Sequence, residues 1–256
     1  MSRRFQRIAF IASPTPDARD AADALMRRYD HVAPEEADVV VALGGDGLML
    51  QALHRFMEAG TPIYGMNRGT VGFLMNEFRE DGLIERLESA HCSIIHPLLM
   101  EARDTEGREH RARALNEVYM LRQTHQTAKL KISVDGHVRL PELIADGVLA
   151  ATPAGSTAYN LSVGGPILPL NAQLLALTPI SAFRPRRWHG ALLPDHARIR
   201  IDVIDADHRP VAAVADHTEF RRVCTVETWL DHETDLVLLH DPGHSLDERI
   251  LREQFG

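Results

Sequence analysis

Two cysteines, Cys92 and Cys224, are the only ones among 256 residues. Neither has metal-ligand spacing and two thiols make no disulfide framework, so a reducing compartment, the cytoplasm, is expected. Long apolar runs are missing as well. Residues 1–12 open with basic side chains, and their apolar stretch is short and broken by Gln6 and Arg7. That predicts neither a secretory signal nor a membrane span. Excess positive charge is absent too. A formal charge of −8 argues against nucleic acid or an anionic membrane as partner. Any phosphate site must then be local and built largely from backbone groups. Fourteen histidines include no His-Glu-x-x-His, and His91 and His96 do not share a helical face, so no protein-built metal site is read. Internal repeats and low-complexity linkers are not found. What is present, 45% hydrophobic and 25% charged residues, is ordinary for a globular protein of one large or two smaller domains.

The first hundred residues alternate between strand-like and helix-like segments. Ile8 to Ala12 reads as a buried strand ended by Ser13-Pro14-Thr15-Pro16, with Thr15 as cap of a helix whose face is Ala18, Ala21, Ala22 and Leu25. Asp38 to Leu43 reads as a second strand, and Leu48 to Ala59 as a helix with Met49, Ala52, Leu53 and Phe56 inward, ended by Gly60. Pro62 to Met66 is a third strand, Asn67 to Phe73 a second glycine-containing loop, and Asp81 to Ala90 a helix. This is the pattern of a parallel sheet covered on both faces, with ligands outside the carboxyl ends of its strands. From Leu98 onward the chain reads as mostly β. Leu98 to Arg103 and Ala114 to Arg122 alternate, and Lys129 to Val134 leads into an Asp135-Gly136 hairpin turn. Arg198 to Ile204 and Val211 to Val214 are further strands, with one helix near Leu161. The predicted fold is therefore an α/β domain over 1–97 and a β-rich domain over 98–234. A tail over 235–256, with a strand at Asp235 to Leu239 and a helix at Ser245 to Gln254, is expected to return to the first domain.

Residues 43–47, Leu-Gly-Gly-Asp-Gly, carry the sharpest chemistry. The missing side chains of Gly44, Gly45 and Gly47 let backbone N–H groups approach a phosphate and permit positive φ. Asp46 places a carboxylate beside that anion, which it would normally repel. The pairing makes sense when the carboxylate's partner is a hydroxyl about to receive a phosphoryl group. A small-molecule kinase is the reading that follows. The plainer one is a strand-to-helix turn in which Asp46 caps the next helix. It is not the ATP loop of P-loop enzymes, because no Lys-Ser or Lys-Thr follows the glycines.

The run from Thr152 to Pro166 puts small and hydroxyl residues between the apolar Val148-Leu149-Ala150-Ala151 and Ile167-Leu168. Gly155, Ser156 and Thr157 offer donors where a helix can start, Tyr159 an aromatic face for a base, and Asn160 and Ser162 polar groups. A nucleotide cleft explains this more economically than a polar surface loop. Asn116-Glu117 interrupts a strand-like run with an amide beside a carboxylate, a pair that can hold a ribose diol or an adenine edge. Asp146 before Gly147 is an ordinary turn residue or a polar anchor beside the Gly-Ser-Thr loop. His217 is a weak candidate for the cleft, and Arg184, Arg186 and Arg187 could meet phosphate or form a solvated basic loop.

LGGDG at 43–47, LNEV at 115–118 and DGVLAATPAGSTAYNLSVGGPI at 146–167 closely resemble, in that order, the NAD kinase family. The GGDG element alone also occurs in phosphofructokinases and diacylglycerol kinases; the third block is much the more specific. The resemblance implies a cleft between the two domains and homo-oligomers, dimers or commonly tetramers. It implies that Asp46, with Gly47 beside it, accepts the proton of the adenosine 2′-hydroxyl of NAD. Asn116 and Glu117 would hold polar groups of the dinucleotide. Asp146, Ala154, Thr157, Ala158, Tyr159, Asn160, Leu161 and Ser162 would line its adenine and nicotinamide ends. ATP would be the phosphoryl donor and Mg²⁺ the divalent cation. The family usually has Thr where this chain has Leu48, which removes a hydroxyl near the donor. Ala154 stands where Thr is frequent, and Ser181 to Pro185 matches the family only in part. Two alternatives stay open, a lipid or sugar kinase sharing only the GGDG element and a dinucleotide-sensing protein without transfer.

Overall fold

The computed structural model describes residues 5–69, 72 and 74–243. Two compact units divide the chain: Met1–Ile95 with Glu233–Gly256, and His96–His232.

In the first unit β1 (Ile8–Ala12), β2 (Val39–Gly44) and β3 (Ile63–Asn67) pair in parallel. The strand Leu236–His240 joins β3 in parallel and carries β4 (His91–Ile95) antiparallel on its other side. Every residue of β2 is buried, which is why its valine run shows no alternation. Helix α1 (Pro16–Arg28) buries Ala18, Ala21, Ala22 and Leu25, and α2 (Asp46–Phe56) buries Met49, Ala52, Leu53 and Phe56. These are the faces marked by the 3.6-residue period. The short α3 (Leu83–Ser89) adds Leu83 and Leu87.

Three local features differ from the sequence reading. Thr15 occupies the cap position of α1 without a side-chain cap bond; its hydroxyl lies 3.0 Å from that of Ser13 instead. Helix α2 starts at Asp46 rather than Leu48, because the cap is Gly45, whose C=O accepts the Leu48 and Met49 N–H groups at 3.0 and 3.2 Å. It also stops at Phe56 rather than Ala59, with Gly60 beyond it at φ 61°. The helix expected over 245–254 lies outside the described residues.

A nearly buried ion pair locks the last strand into this unit. Asp241 accepts the Tyr64 hydroxyl at 2.6 Å and Arg86 Nε at 3.1 Å through Oδ1, and Arg86 Nη2 through Oδ2. Arg86 Nη2 also donates to the Glu77 carbonyl at 2.7 Å. Burial and the Asp241 bond together push the Tyr64 hydroxyl far above its ordinary pKa.

The second unit contains β5 (Leu98–Asp104), β6 (Glu109–Ala114), β7 (Glu117–Arg122), β8 (Ala128–Val134), β9 (His137–Ala145) and β10 (Gly147–Ala151). It continues with α4 (Tyr159–Ser162), β11 (Leu174–Ile180), β12 (Ala191–Pro194), β13 (Ile199–Val203), β14 (Val211–Ala215) and β15 (Thr218–Leu230). Its antiparallel sheet runs β12–β11–β10–β7–β14–β15–β13–β8–β9, with β5 on β15 and β6 on β5. Asp135 and Gly136 both take positive φ, the conformation a two-residue hairpin requires. β10 is buried on both faces. Val148 and Ala150 enter the main core with Leu98, Met120 and Leu177, and Leu149 and Ala151 enter a smaller one with Leu168 and Ala176. The single strand expected over 114–122 is broken at Leu115-Asn116, for a reason that belongs to the site.

The Asp241 interaction yields a test. The Arg86 and Asp241 side chains are only 15% and 14% exposed, so Asp241→Ala strands a cation in the interior and should destabilise the protein by about 3 kcal/mol. Tyr64→Phe, which removes one hydrogen bond, should cost only about 1 kcal/mol. Urea titration of both variants checks the order; equal losses would place the energy elsewhere.

Candidate active site

The glycine loop leaves β2 at the carboxyl edge of the parallel sheet, between the loops that follow β1 and β3. The Ser13 N–H donates to Leu43 O at 2.9 Å and the Arg68 N–H to Gly44 O at 2.7 Å, so all three loops are stitched together at their roots. A Cβ at Gly44 would lie 3.0 Å from Leu48 Cδ2 and 3.2 Å from Ser13 Cβ. Gly44 is therefore a packing glycine, and Leu48 sits over it. Gly45 and Gly47 are different, since a Cβ on either would meet nothing within 4 Å. None of the three takes the positive φ that the sequence permits; Gly45 has φ −119°. Open approach to the backbone, rather than a left-handed turn, is what these two glycines provide.

Asp46 is the first residue of α2, where the partial positive charge of the helix end favours an anion. The cap position belongs to Gly45, so the capping role considered for Asp46 does not apply. Instead Asp46 Oδ1 accepts the Leu74 N–H at 2.9 Å, which joins the first glycine loop to the segment following β3. A Cβ at Gly72 would lie 3.2 Å from the same oxygen and 2.6 Å from Met75 Cγ.

The other predicted residues lie in the second unit. Leu115-Asn116 separates β6 from β7, and the Asp216 carboxylate collects the orphaned donors. It accepts the N–H groups of Leu115, Asn116 and Glu117 at 2.7, 3.0 and 3.3 Å. Asp216 occupies the two-residue turn joining β14 to β15, at φ 49°, a conformation aspartate tolerates. The acceptors of the same segment are taken by Thr152, whose Oγ1 donates to Leu115 O at 2.6 Å and whose N–H donates to Asn116 O at 2.9 Å. Gly155 then rests on Asn116 so closely that a Cβ would lie 2.1 Å from its carbonyl oxygen. The Asn-Glu pair and the Gly-Ser-Thr loop, some forty residues apart in sequence, are thus one construction.

Within that loop only some of the polar residues face inward. Ser156 is fully buried, its hydroxyl 2.7 Å from Pro153 O and accepting Leu168 N–H at 2.9 Å. Asn160 is fully buried as well. Its Nδ2 donates to Ser156 O at 3.2 Å and Pro166 O at 2.8 Å, and its Oδ1 accepts the Thr178 hydroxyl at 2.7 Å. Ala154, Thr157, Ala158 and Tyr159 are half-buried, and Leu161 and Ser162 exposed. Tyr159 meets Tyr119 edge to face, 5.2 Å between centroids. Asp146, ahead of β10, accepts Arg122 Nε at 2.6 Å, and a Cβ on Gly147 would lie 2.0 Å from Met120 O.

Glu117 is 7% exposed, and its Oε2 is buried with no hydrogen-bond partner among the described residues. Burial, and then the Asp216 charge, raise its carboxyl pKa to about 7 against a lowering bond from the Tyr159 N–H. No group of three or more His, Cys, Asp or Glu able to hold a metal occurs among the described residues.

Sequence reading missed Asp216 and the Leu74 N–H as site-building groups. Nothing local in Ala215-Asp216-His217-Thr218 announces its bonds to a segment a hundred residues earlier.

The Glu117 environment sets a pH dependence. Between its ordinary pKa, near 4.5, and about 7, the folded chain keeps a proton that the unfolded chain releases, so stability falls as pH rises through that window. Glu117→Gln should therefore gain on the wild type by roughly 3 kcal/mol between pH 4.5 and 8. Urea titrations at the two pH values measure it; a constant difference would mean Glu117 titrates normally.

The family model described as ATP-NAD kinase N-terminal domain matches residues 4–90, and that described as ATP-NAD kinase C-terminal domain matches residues 115–224. The NAD kinase of Caulobacter vibrioides is 59% identical over 250 residues, 98% of this chain and 96% of that protein. The NAD kinase of Rhizobium meliloti is 54% identical over 256 residues, the full length of both. Yeast NADH kinase complexed with NADH matches with a TM-score of 0.84 at 22% identity, over 98% of this chain and 87% of that one. An NAD kinase from Archaeoglobus fulgidus in complex with ATP gives 0.76 at 23%, over 98% of each. At those identities the two solved structures establish the fold, an α/β domain and a mostly antiparallel β domain. With both family models matched and relatives of more than half identity along the whole length, this chain belongs to the NAD kinase family.

Proposed function

We propose that the chain transfers the γ-phosphoryl group of ATP to the 2′-hydroxyl of the adenosine ribose of NAD, giving NADP. One observation carries the chemical assignment. Asp46 stands between two glycines whose missing side chains leave open approach, with Oδ1 held by the Leu74 N–H. The ribose oxygen attacks the γ-phosphorus as the bond to the bridging oxygen of ADP breaks, and Asp46 takes the hydroxyl proton. An aspartate is a weak base, but in a loose phosphoryl-transfer transition state the proton leaves late. Asp46 therefore acts mainly by orienting the hydroxyl. The N–H groups around Gly45 and Gly47 support the charge of the phosphates.

In this reading Asn116, Glu117, Asp146, Ala154, Thr157, Ala158, Tyr159, Leu161 and Ser162 hold the dinucleotide, with the Tyr159 ring against a base. Asn160 contributes from beneath, since its amide bonds the turn that presents them. A divalent cation, Mg²⁺, belongs with the donor phosphates. Such an ion keeps several waters and needs only one or two carboxylates, which agrees with a site offering Asp46 rather than a cage. When bound, it would neutralise charge on the transferred group. We further propose a cytoplasmic homo-oligomer, in keeping with the free thiols of Cys92 and Cys224, with residues 98–234 as the dinucleotide-binding domain.

The test is NADP formation from NAD, ATP and Mg²⁺. Asp46→Asn should lower kcat by at least about 100-fold with NAD affinity preserved. Near-normal turnover would remove Asp46 from this role, and bound NAD without NADP, even with polyphosphate as donor, would favour a dinucleotide sensor. Gly47→Ala separates chemistry from stability. In the first turn of α2 it should stabilise the fold by up to about 1 kcal/mol while lowering kcat/KM; full activity would show that the open face at Gly47 is not used.

A further inference from the structure

Between β3 and the strand Leu236–His240, parallel pairing covers only Leu238 with Ile63 and Leu239 with Tyr64. Beyond Tyr64 the side chain of Asn76 takes over. Asn76 is fully buried. Its Nδ2 donates to Gly65 O and to Leu239 O, both at 3.0 Å, and its Oδ1 accepts the Asp241 N–H at 3.0 Å. Its backbone is equally engaged, with its N–H on Gly65 O at 2.8 Å and its C=O accepting the Asn67 N–H at 2.8 Å. One residue thus spans the gap between two strands and fixes the end of the segment that follows β3.

That segment reaches Asp46. Met75, adjacent to Asn76, is 2% exposed, and its Sδ would lie 2.6 Å from a Cβ on Gly65, so it is wedged against β3. Leu74, next again, donates the N–H that holds Asp46 Oδ1 at 2.9 Å. From Asn76 to the Leu74 N–H the path runs along the main chain. The donor's position relative to Asp46 is therefore set within two residues of the buried amide. An apolar residue at position 76 would take the side-chain bonds from Leu239 O and the Asp241 N–H and leave Gly65 O with the residue 76 N–H alone, and the segment would shift to supply the missing partners.

We propose that Asn76 is a positioning residue for phosphoryl transfer, acting on Asp46 through the Leu74 N–H. The inference rests on Asp46 being the proton acceptor. Asn76 touches neither substrate, so its loss acts on the orientation of one carboxylate and not on dinucleotide affinity.

A double-mutant cycle with steady-state kinetics and calorimetric NAD binding tests it. Asn76→Ala should lower kcat by about 10- to 100-fold, with KM and affinity for NAD within about threefold. In an Asp46→Asn background the same change should cost less than about twofold, because the path ends at Asp46. A general structural role would give the same fold-loss in both backgrounds, and that result overturns the proposal, as does an unchanged kcat for Asn76→Ala. If Asn76→Ala does not fold, Leu74→Pro removes the donor and leaves the buried amide in place. It must then lose kcat with NAD affinity retained; unaltered turnover overturns the proposal. Full turnover by Asp46→Asn alone is a separate outcome, which sinks the reading of Asp46.

Discussion

Where strand pairing stops, main-chain N–H and C=O groups still require partners, and in this chain short polar side chains, buried or half-buried, supply them at three of the loops. Asn76 does so beside β3, Asp216 beside β7, and Asn160 under the turn that follows β10. Each replaces several ladder bonds with one rigid group. A buried backbone donor left unsatisfied costs on the order of 1–3 kcal/mol, so a segment with two or three such donors has few arrangements open to it. The irregular backbone that a nucleotide site needs is in this way held as firmly as a strand.

Much of the scaffold was legible in the sequence because its period is local. The apolar faces of α1 and α2 and the unbroken valine run of β2 follow from spacing alone. The Asp135-Gly136 hairpin follows from turn chemistry. What was illegible depends on partners far along the chain. Ala114 to Arg122 alternates like one strand and is two, because Asp216 captures three consecutive N–H groups from about a hundred positions away. Thr15 stands at the cap position expected of it but makes no side-chain cap bond, its hydroxyl lying 3.0 Å from that of Ser13.

The candidate site was legible in a different sense. Residue types announced it, but not which groups face out. Between Thr152 and Pro166 the sequence offers a series of hydroxyls and amides of seemingly equal standing. Packing divides them into Ser156 and Asn160, spent on the fold, and Thr157, Tyr159 and Ser162, left toward the surface together with the apolar Ala154, Ala158 and Leu161. The division follows burial against Leu149, Ala151, Leu168 and Ala176, a core that exists only because β10 has a second apolar face. Glu117 shows the electrostatic side of this arrangement. Burial at a strand start, and then the Asp216 charge, make this carboxyl hold its proton to higher pH than an ordinary glutamate.

The glycines of the first loop lead to the same distinction by another route. Gly44, and Gly72 after β3, are demanded by packing, since a Cβ on either would press against Leu48 and Ser13 or against Met75 close to its backbone. Gly45 and Gly47 are demanded by neither packing nor backbone conformation, because space is open around both and neither has positive φ. Alanine would even favour the first turn of α2 by up to about 1 kcal/mol at position 47. A residue that forgoes stability without relieving any contact within the protein answers to something outside it. Flanking a carboxylate at a helix start, that constraint is, in the proposed reaction, the close approach of a group bearing phosphate, and it ties an uncrowded turn of the fold to that chemistry.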